Sequence, residues 1–289
     1  MEIYSKNMPY IEKDLEAEAN LAQHVAYLSI VGSSEMKNFR SPDAYVFIFF
    51  DKVSGWHSID FVKYEEKDLQ VHISFPGQIH SWSSGENARG HKLIISRYFV
   101  EKYLFEVDFL KLKINENPVL DLTRESFGEL ENDLKRIAAE LSADMVKWDI
   151  VTRRAELIVR MIDYLIKDKV RLDVQLGKVK PAIQQFNLLL DAYYLTEKKV
   201  SFYADQLAIT ANYLNILCKQ VYGHTAKKII SKRVILEAKR LLCGSNLSIK
   251  EITYDLQFSS VAAFSAYVKE HTGYSPKQLR ENSLIHRSA

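Results

Sequence analysis

Cysteine, glycine and long apolar runs are all scarce in this chain of 289 residues. Its only cysteines are Cys218 and Cys243. Two isolated thiols in apolar helical pattern make neither a disulfide framework nor a zinc site. They are expected as buried thiols of a protein kept in the reducing cytoplasm. Ten glycines leave no phosphate-cradling loop, since "GSSE" and "SSGENARG" fit neither a nucleotide fingerprint nor a nucleophile elbow. The longest purely apolar run, "AYVFIFF" (Ala44 to Phe50), falls far short of the roughly 20 residues of a membrane helix, so no membrane partner is expected. The opening "MEIYSKNMPYIEKDLEAEAN" has neither the basic start nor the apolar core of a signal peptide.

Charge of one sign is scarce only on average. The net charge is +2, but residues 196–289 hold 14 Lys and Arg against 7 Asp and Glu, a balance of +7. Residues 1–195 hold 25 against 30, a balance of −5. The last third is therefore suited to a polyanion and the rest is not.

The chain also changes texture along its length. Residues of about 40–115 are rich in β-branched and aromatic types and broken by "DKVSG", "YEEKD" and "PGQ", which predicts short strands in a β-sandwich or small barrel. Residues of about 125–170 switch to helical period, with Phe127, Leu130, Leu134, Ile137 and Leu141 in one run and Val151, Ala155, Ile158, Ile162 and Leu165 in a second. Two such helices fold as a hairpin, against the sheet or against another chain. Leu130, Leu134, Leu141, Ile158 and Leu165 are expected to pair two chains into a homodimer. A polar stretch with Gly177 and Pro181 marks residues 171–181 as a linker between a domain of 1–170 and one of 182–289.

The strand region contains His57, His72, His80 and His91 but no close His-x-His pair, so no metal is expected. His80 and Trp82, two apart, share one face of a strand and line either a small-molecule pocket or a packed aromatic edge. No pair of carboxylates stands at a short periodic spacing, no cofactor motif occurs, and an enzyme reading has nothing to rest on.

The last hundred residues repeat. "SFYADQLAITANYLNILCKQVYG" (201–223) resembles "SIKEITYDLQFSSVAAFSAYVKEHTG" (248–273), with Leu214 and Phe264, Lys219 and Lys269, and Gly223 and Gly273 all fifty apart. Each unit reads as helix, tight turn, helix. Ser248 and Glu251 form a capping box, Thr210 and Ser259 or Ser260 cap the second helices, and the two glycines suit left-handed helix ends. Between the units, "AKKIISKRVILEAKRLL" (226–242) is an amphipathic helix crowded with Lys227, Lys228, Lys232, Arg233, Lys239 and Arg240. A rod of about 25 Å could set two reading helices in successive major grooves.

The residues "VSFYADQLAITANYL", "AKRLL", "SIKEITYDLQFSS" and the spaced pattern from Phe264 to Arg280 resemble the AraC/XylS family of bacterial transcription regulators over about 190–282. "FPGQIHSW" (Phe75 to Trp82) resembles a segment of that family's cupin-type sensor domain. The resemblance implies an α+β chain of two domains. A cupin-like β-sandwich or barrel with a helical hairpin comes first, then an all-α domain of two helix-turn-helix units joined by a long helix. It implies double-stranded DNA as partner, with RNA polymerase nearby, and a small-molecule effector bound near His80 and Trp82. The reading positions it assigns are Asn212, Tyr213, Asn215, Ile216 and Lys219 on one helix and Ala262, Ser265, Ala266 and Lys269 on the other, with the amides near Ser259 and Ser260 toward phosphates. The family often has Arg where this chain has Ile216 and Ala266, and usually Gly at Gln257. A second use of the second unit, as a surface for another protein, is the alternative.

Overall fold

In the computed structural model the described residues are 24–41, 43–104, 107, 118–175 and 181–281. The chain divides into two compact units, parting after Asp168.

The first unit begins with nine strands: β1 (Val25–Val31), β2 (Ser34–Arg40), β3 (Ala44–Lys52), β4 (Gly55–Ile59), β5 (Val62–Glu65), β6 (Gln70–Ser74), β7 (Ile79–Ser84), β8 (Arg89–Ser96) and β9 (Val119–Asp121). They form a sheet in the order β1-β8-β3-β6-β9 and another in the order β2-β7-β4-β5. The pairs β1–β8, β2–β7, β3–β6 and β4–β5 are all antiparallel. The chain is thus one long hairpin rolled up over two sheets, the jelly-roll arrangement. Its tip is the two-residue turn Asp60–Phe61, where both φ angles are positive (50° and 69°), as a hairpin's twist prefers. Two residues with side chains tolerate this because the turn is tied down: the Asp60 amide donates to Ile79 O at 2.7 Å, and its carboxylate accepts from Gln78 Nε2 at 2.6 Å.

Strands start earlier than the sequence pattern predicts, at Val25 rather than near 40. β1 (VAYLSIV) is itself rich in apolar and β-branched residues, whereas β2 (SEMKNFR) lacks the apolar run of β3 and is a strand by virtue of its partner β7, beyond the reach of local pattern. Among the described residues, the helices that follow the sheets' strands or interrupt them are α1 (Arg97–Tyr103), α2 (Arg124–Leu141) and α3 (Trp148–Gln175). The apolar stripe of α2, Phe127, Leu130, Leu134 and Ile137, is buried, and the helix lies along β1 and β8. Arg154 of α3 donates to Asp133 of α2 and closes the hairpin.

That packing corrects the expected pairing surface. Leu130, Leu134 and Ile158 are fully buried within their own chain. They are spent on the fold and are not free to meet another copy. Among the described side chains of α3, the large apolar ones that stand exposed are Ile150, Leu157 and Tyr164. The predicted linker also differs: α3 continues through Gln175, and Pro181 opens the next helix, a place where its missing N–H costs nothing. Gly177 lies outside the described residues.

The second unit is helical: α4 (Pro181–Tyr193), α5 (Val200–Gln206), α6 (Ala211–Tyr222), α7 (Ala226–Gly244), α8 (Ile249–Asp255) and α9 (Val261–Thr272). Phe186, Leu190, Tyr203, Leu214, Leu217, Cys218 and Ile230 make one core around the first helix-turn-helix. Ile252, Leu256, Phe264 and Val268 are the buried residues of the second, which packs on the same α7. At 19 residues α7 is a rod of about 28 Å. The capping box at Ser248 and Glu251 is formed, with both hydrogen bonds present.

Candidate nucleic-acid interface and sensor interior

The two units match residue for residue. α6 is capped by Thr210, whose hydroxyl accepts from the Tyr213 amide, and α9 by Ser260, whose hydroxyl accepts from the Ala263 amide. Both helices end on left-handed glycines, Gly223 at φ 67° and Gly273 at φ 79°. Each tight turn passes through a positive φ without glycine, at Ala208 (52°) and Gln257 (53°). An L-residue resists this backbone; in the second unit it is held by Gln257 N to Tyr254 O and Phe258 N to Thr253 O, and by Lys198. The Lys198 ammonium donates to Leu256 O (3.3 Å) and to Leu195 O (2.8 Å), above the Phe258 ring.

This common frame sends the same register outward. The two helices share five exposed positions: Asn212, Tyr213, Ile216, Lys219 and Gln220 on α6 and Ala262, Ala263, Ala266, Lys269 and Glu270 on α9; Val221 on α6 and Val261 on α9 are exposed as well, without an exposed counterpart. Leu214 and Phe264 both point into the core. Ser265 is half-buried and Ser259 exposed.

One assigned residue is less available than its spacing suggests. Asn215 is half-buried, and its Oδ1 accepts from the Ala226 amide at 3.0 Å, capping the start of α7. This bond uses one of the two lone pairs of the oxygen and ties the amide group to α7. The Ser260 hydroxyl caps α9, as its position suggests. Among the basic residues, Arg233 pairs with Asp191 (2.9 Å) and Glu237 (3.2 Å) and lies over the Tyr194 ring, while Arg240 pairs with Glu237 (3.0 Å). Arg233 ties α7 to α4, and Arg240 pairs within α7. The cations that face water include Lys219, Lys227, Lys228, Lys232, Lys250 and Lys269. Charge counting finds the sign of the domain but cannot separate structural arginines from surface lysines.

Residues 203–282 match the sequence profile of the helix-turn-helix domain. The chain thus carries a helix-turn-helix domain that takes in both units. The chain is 29% identical over 99 residues to the HTH-type transcriptional regulator ExsA of Pseudomonas aeruginosa, which covers 34% of this chain and 36% of that protein. It is 22% identical over 148 residues to the HTH-type transcriptional activator RhaS of Escherichia coli O1:K1 / APEC, 51% of this chain and 53% of that one. The chain thus spans between a third and about half of the length of these curated relatives. The crystal structure of a Chromobacterium violaceum transcriptional regulator with an AraC-type DNA-binding domain aligns at 23% identity and TM-score 0.33, over 36% of this chain and 92% of that one. In the helix-turn-helix domain of this chain, both cysteines are free and buried, and burial pushes the Cys218 thiol up to about 11.

In the jelly roll, His80 and Trp82 both face inward and are buried. Trp82 donates to Ser34 Oγ (3.0 Å) and carries the Lys92 ammonium 3.9 Å above its ring. Trp82 and Lys92 line a cavity with Leu28, Ile30, Ile48 and Phe50; His80 stands beside Trp82 but not on the cavity wall. His80 belongs instead to a chain of three histidines. Asp121 accepts from Gln70 Nε2 (2.6 Å), which turns Gln70 Oε1 toward the Lys67 amide (3.0 Å) and His72 Nε2 (3.2 Å). His72 Nε2 therefore holds the proton and its Nδ1 accepts, from His57 Nδ1 at 3.1 Å. His57 Nε2 then accepts from His80 Nδ1 at 3.4 Å. His80 Nε2 is left with a buried lone pair and no partner among the described residues.

Burial keeps all three rings neutral, His72 down to about 4, His80 to about 3 with Lys92 adding to the effect, and His57 well below the usual range. Nearby, burial raises the Glu66 carboxyl to about 7 against the Ser84 hydroxyl that donates to it. Because His57 turns a different nitrogen to each neighbour, the three do not converge on one point. Among the described residues no group of three His, Cys, Asp or Glu is arranged to hold a metal ion. The alternation of β4, β6 and β7 carried the inward positions of these histidines. Their meeting depends on the roll-up of strands from two sheets, which no local pattern states.

Proposed function

We propose that this chain is a transcription regulator that binds duplex DNA with α6 and α9 and answers to a small molecule held in its jelly roll. The observation that carries the DNA reading is the shared register: two capped helices, fifty residues apart, expose the same five positions, each with a lysine two turns in. Phosphate contacts from such lysines position a protein on DNA, and base edges are read by the residues between. The inner surface of the jelly roll supports the effector reading. A buried ammonium (Lys92) and an indole (Trp82) on the wall of an otherwise apolar cavity are an unusual lining for a purely structural sandwich. The exposed Ile150, Leu157 and Tyr164 of α3 support pairing of two copies, which would place two AraC-type domains on one operator.

The test of the DNA reading is a binding-site selection with the full chain, followed by a salt titration on the selected duplex. Binding whose logarithm falls linearly with the logarithm of salt supports it. A selection that enriches no duplex overturns it. Calorimetry against a panel of small metabolites tests the effector reading, and a jelly roll indifferent to all of them leaves the interior a structural feature.

A further inference from the structure

The base-reading chemistry of α6 is lopsided. The Asn215 side chain is tied to the Ala226 amide. At the next groove-facing position stands Ile216, an isoleucine left 42% exposed on a helix whose opposite side, Leu214, Leu217 and Cys218, is buried. Tyr213 beside it is 49% exposed. Two large apolar side chains in water, framed by Asn212 and Lys219, have no partner to cover them within the unit. In the major groove the one apolar feature that a base presents is the C5 methyl of thymine. An anionic duplex with a thymine beneath α6 meets both features: phosphates for Lys219 and a methyl group for Ile216.

We infer that Ile216 is a specificity-determining residue that recognises the methyl group of a thymine in the operator, and this rests on the DNA-binding reading above. The contact removes two apolar surfaces from water at once, so its loss is expected to cost what one buried methyl is worth, about fourfold in affinity. Ala266 occupies the same register on α9, where a single methyl at the Cβ gives much less reach; Val261, as exposed as Ile216, stands at the first position of α9, in the register of Ala211. The inference therefore assigns the methyl reading at this register to the first unit.

The test starts from the duplex selected by the full chain. Each thymine is replaced in turn by deoxyuridine, which keeps every hydrogen-bonding group and removes only the C5 methyl. The expected result is one position where the replacement weakens binding about fourfold, with Ile216→Ala abolishing that sensitivity while the affinity for the unmodified duplex falls by a similar factor. Alanine is a better helix former than isoleucine, so the variant keeps its fold. Ile216→Val should retain part of the sensitivity. Tight binding to the thymine duplex with no sensitive position, or a sensitivity unchanged in Ile216→Ala, overturns the inference and leaves the DNA-binding reading standing. No enriched duplex overturns both.

Discussion

The two helix-turn-helix units agree in the turn and in the cap and end of the second helix, and differ where bases would be read. Thr210 and Ser260 cap in the same way, Ala208 and Gln257 bend through the same positive φ, and Gly223 and Gly273 end the helices alike. Lys219 and Lys269 agree as well. Between them, Asn212, Tyr213 and Ile216 on α6 face Ala262, Ala263 and Ala266 on α9. The frame of such a unit is set by caps, a turn and a buried side chain, and these leave the outward positions free. A second unit with small outward residues can still seat its helix close to a groove and hold phosphates. It lacks the groups for two-bond base contacts. The difference supports a division of labour, with α6 discriminating sequence and α9 positioning the domain.

The comparison can be broken first at its common core. Phe264→Ala should lower stability by about 3–5 kcal/mol and Leu214→Ala by about 2–5 kcal/mol, read by denaturant unfolding of the full chain, since both side chains are fully buried. A loss under 1 kcal/mol at either position would mean that the two helices are not seated alike. Next, Asn212→Ala should remove about 1–3 kcal/mol of discrimination against wrong bases at one position of the selected site, while Ala262→Gly should leave base preference unchanged. An altered motif from Ala262→Gly would move sequence reading to α9.

Smaller effects sharpen the same contrast. Gln257→Gly should raise stability by about 1 kcal/mol, because the left-handed turn costs glycine nothing and glutamine something. A melting temperature lowered by this change would show that the glutamine side chain contributes more than its backbone loses. Smallest, Lys219→Ala and Lys269→Ala should each flatten the slope of log affinity against log salt by about one and weaken all sequences alike. A loss confined to particular sequences would make either lysine a base reader.

Much of this was legible in the sequence, and the limits follow from physics. The fifty-residue repeat, the capping box and the glycine ends are local signals, and each stands in the structure where the spacing puts it. The helical stripes of α2 and α3 were equally plain, but a stripe states only that a face is buried and not what buries it. Leu134 and Ile158 turned out to face their own domain. The strand β2 is not legible locally because SEMKNFR has little apolar pattern and its pairing, such as Met36 with Trp82, is decided far along the chain; β1, VAYLSIV, does carry a local strand signal. At the DNA face, the sequence pattern placed Asn215 with the reading residues. Only the fold shows its carbonyl bound to the Ala226 amide. Arg233 and Arg240 read as surface charge until their carboxylate partners are seen.

The most direct test of the division of labour is the selection itself, run on the full chain and repeated with Asn212→Ala. The account predicts a motif sharp over one half of the site and weakly defined over the other, with the sharp half blurred in the variant. Equal information under both halves, unchanged by Asn212→Ala, would contradict it.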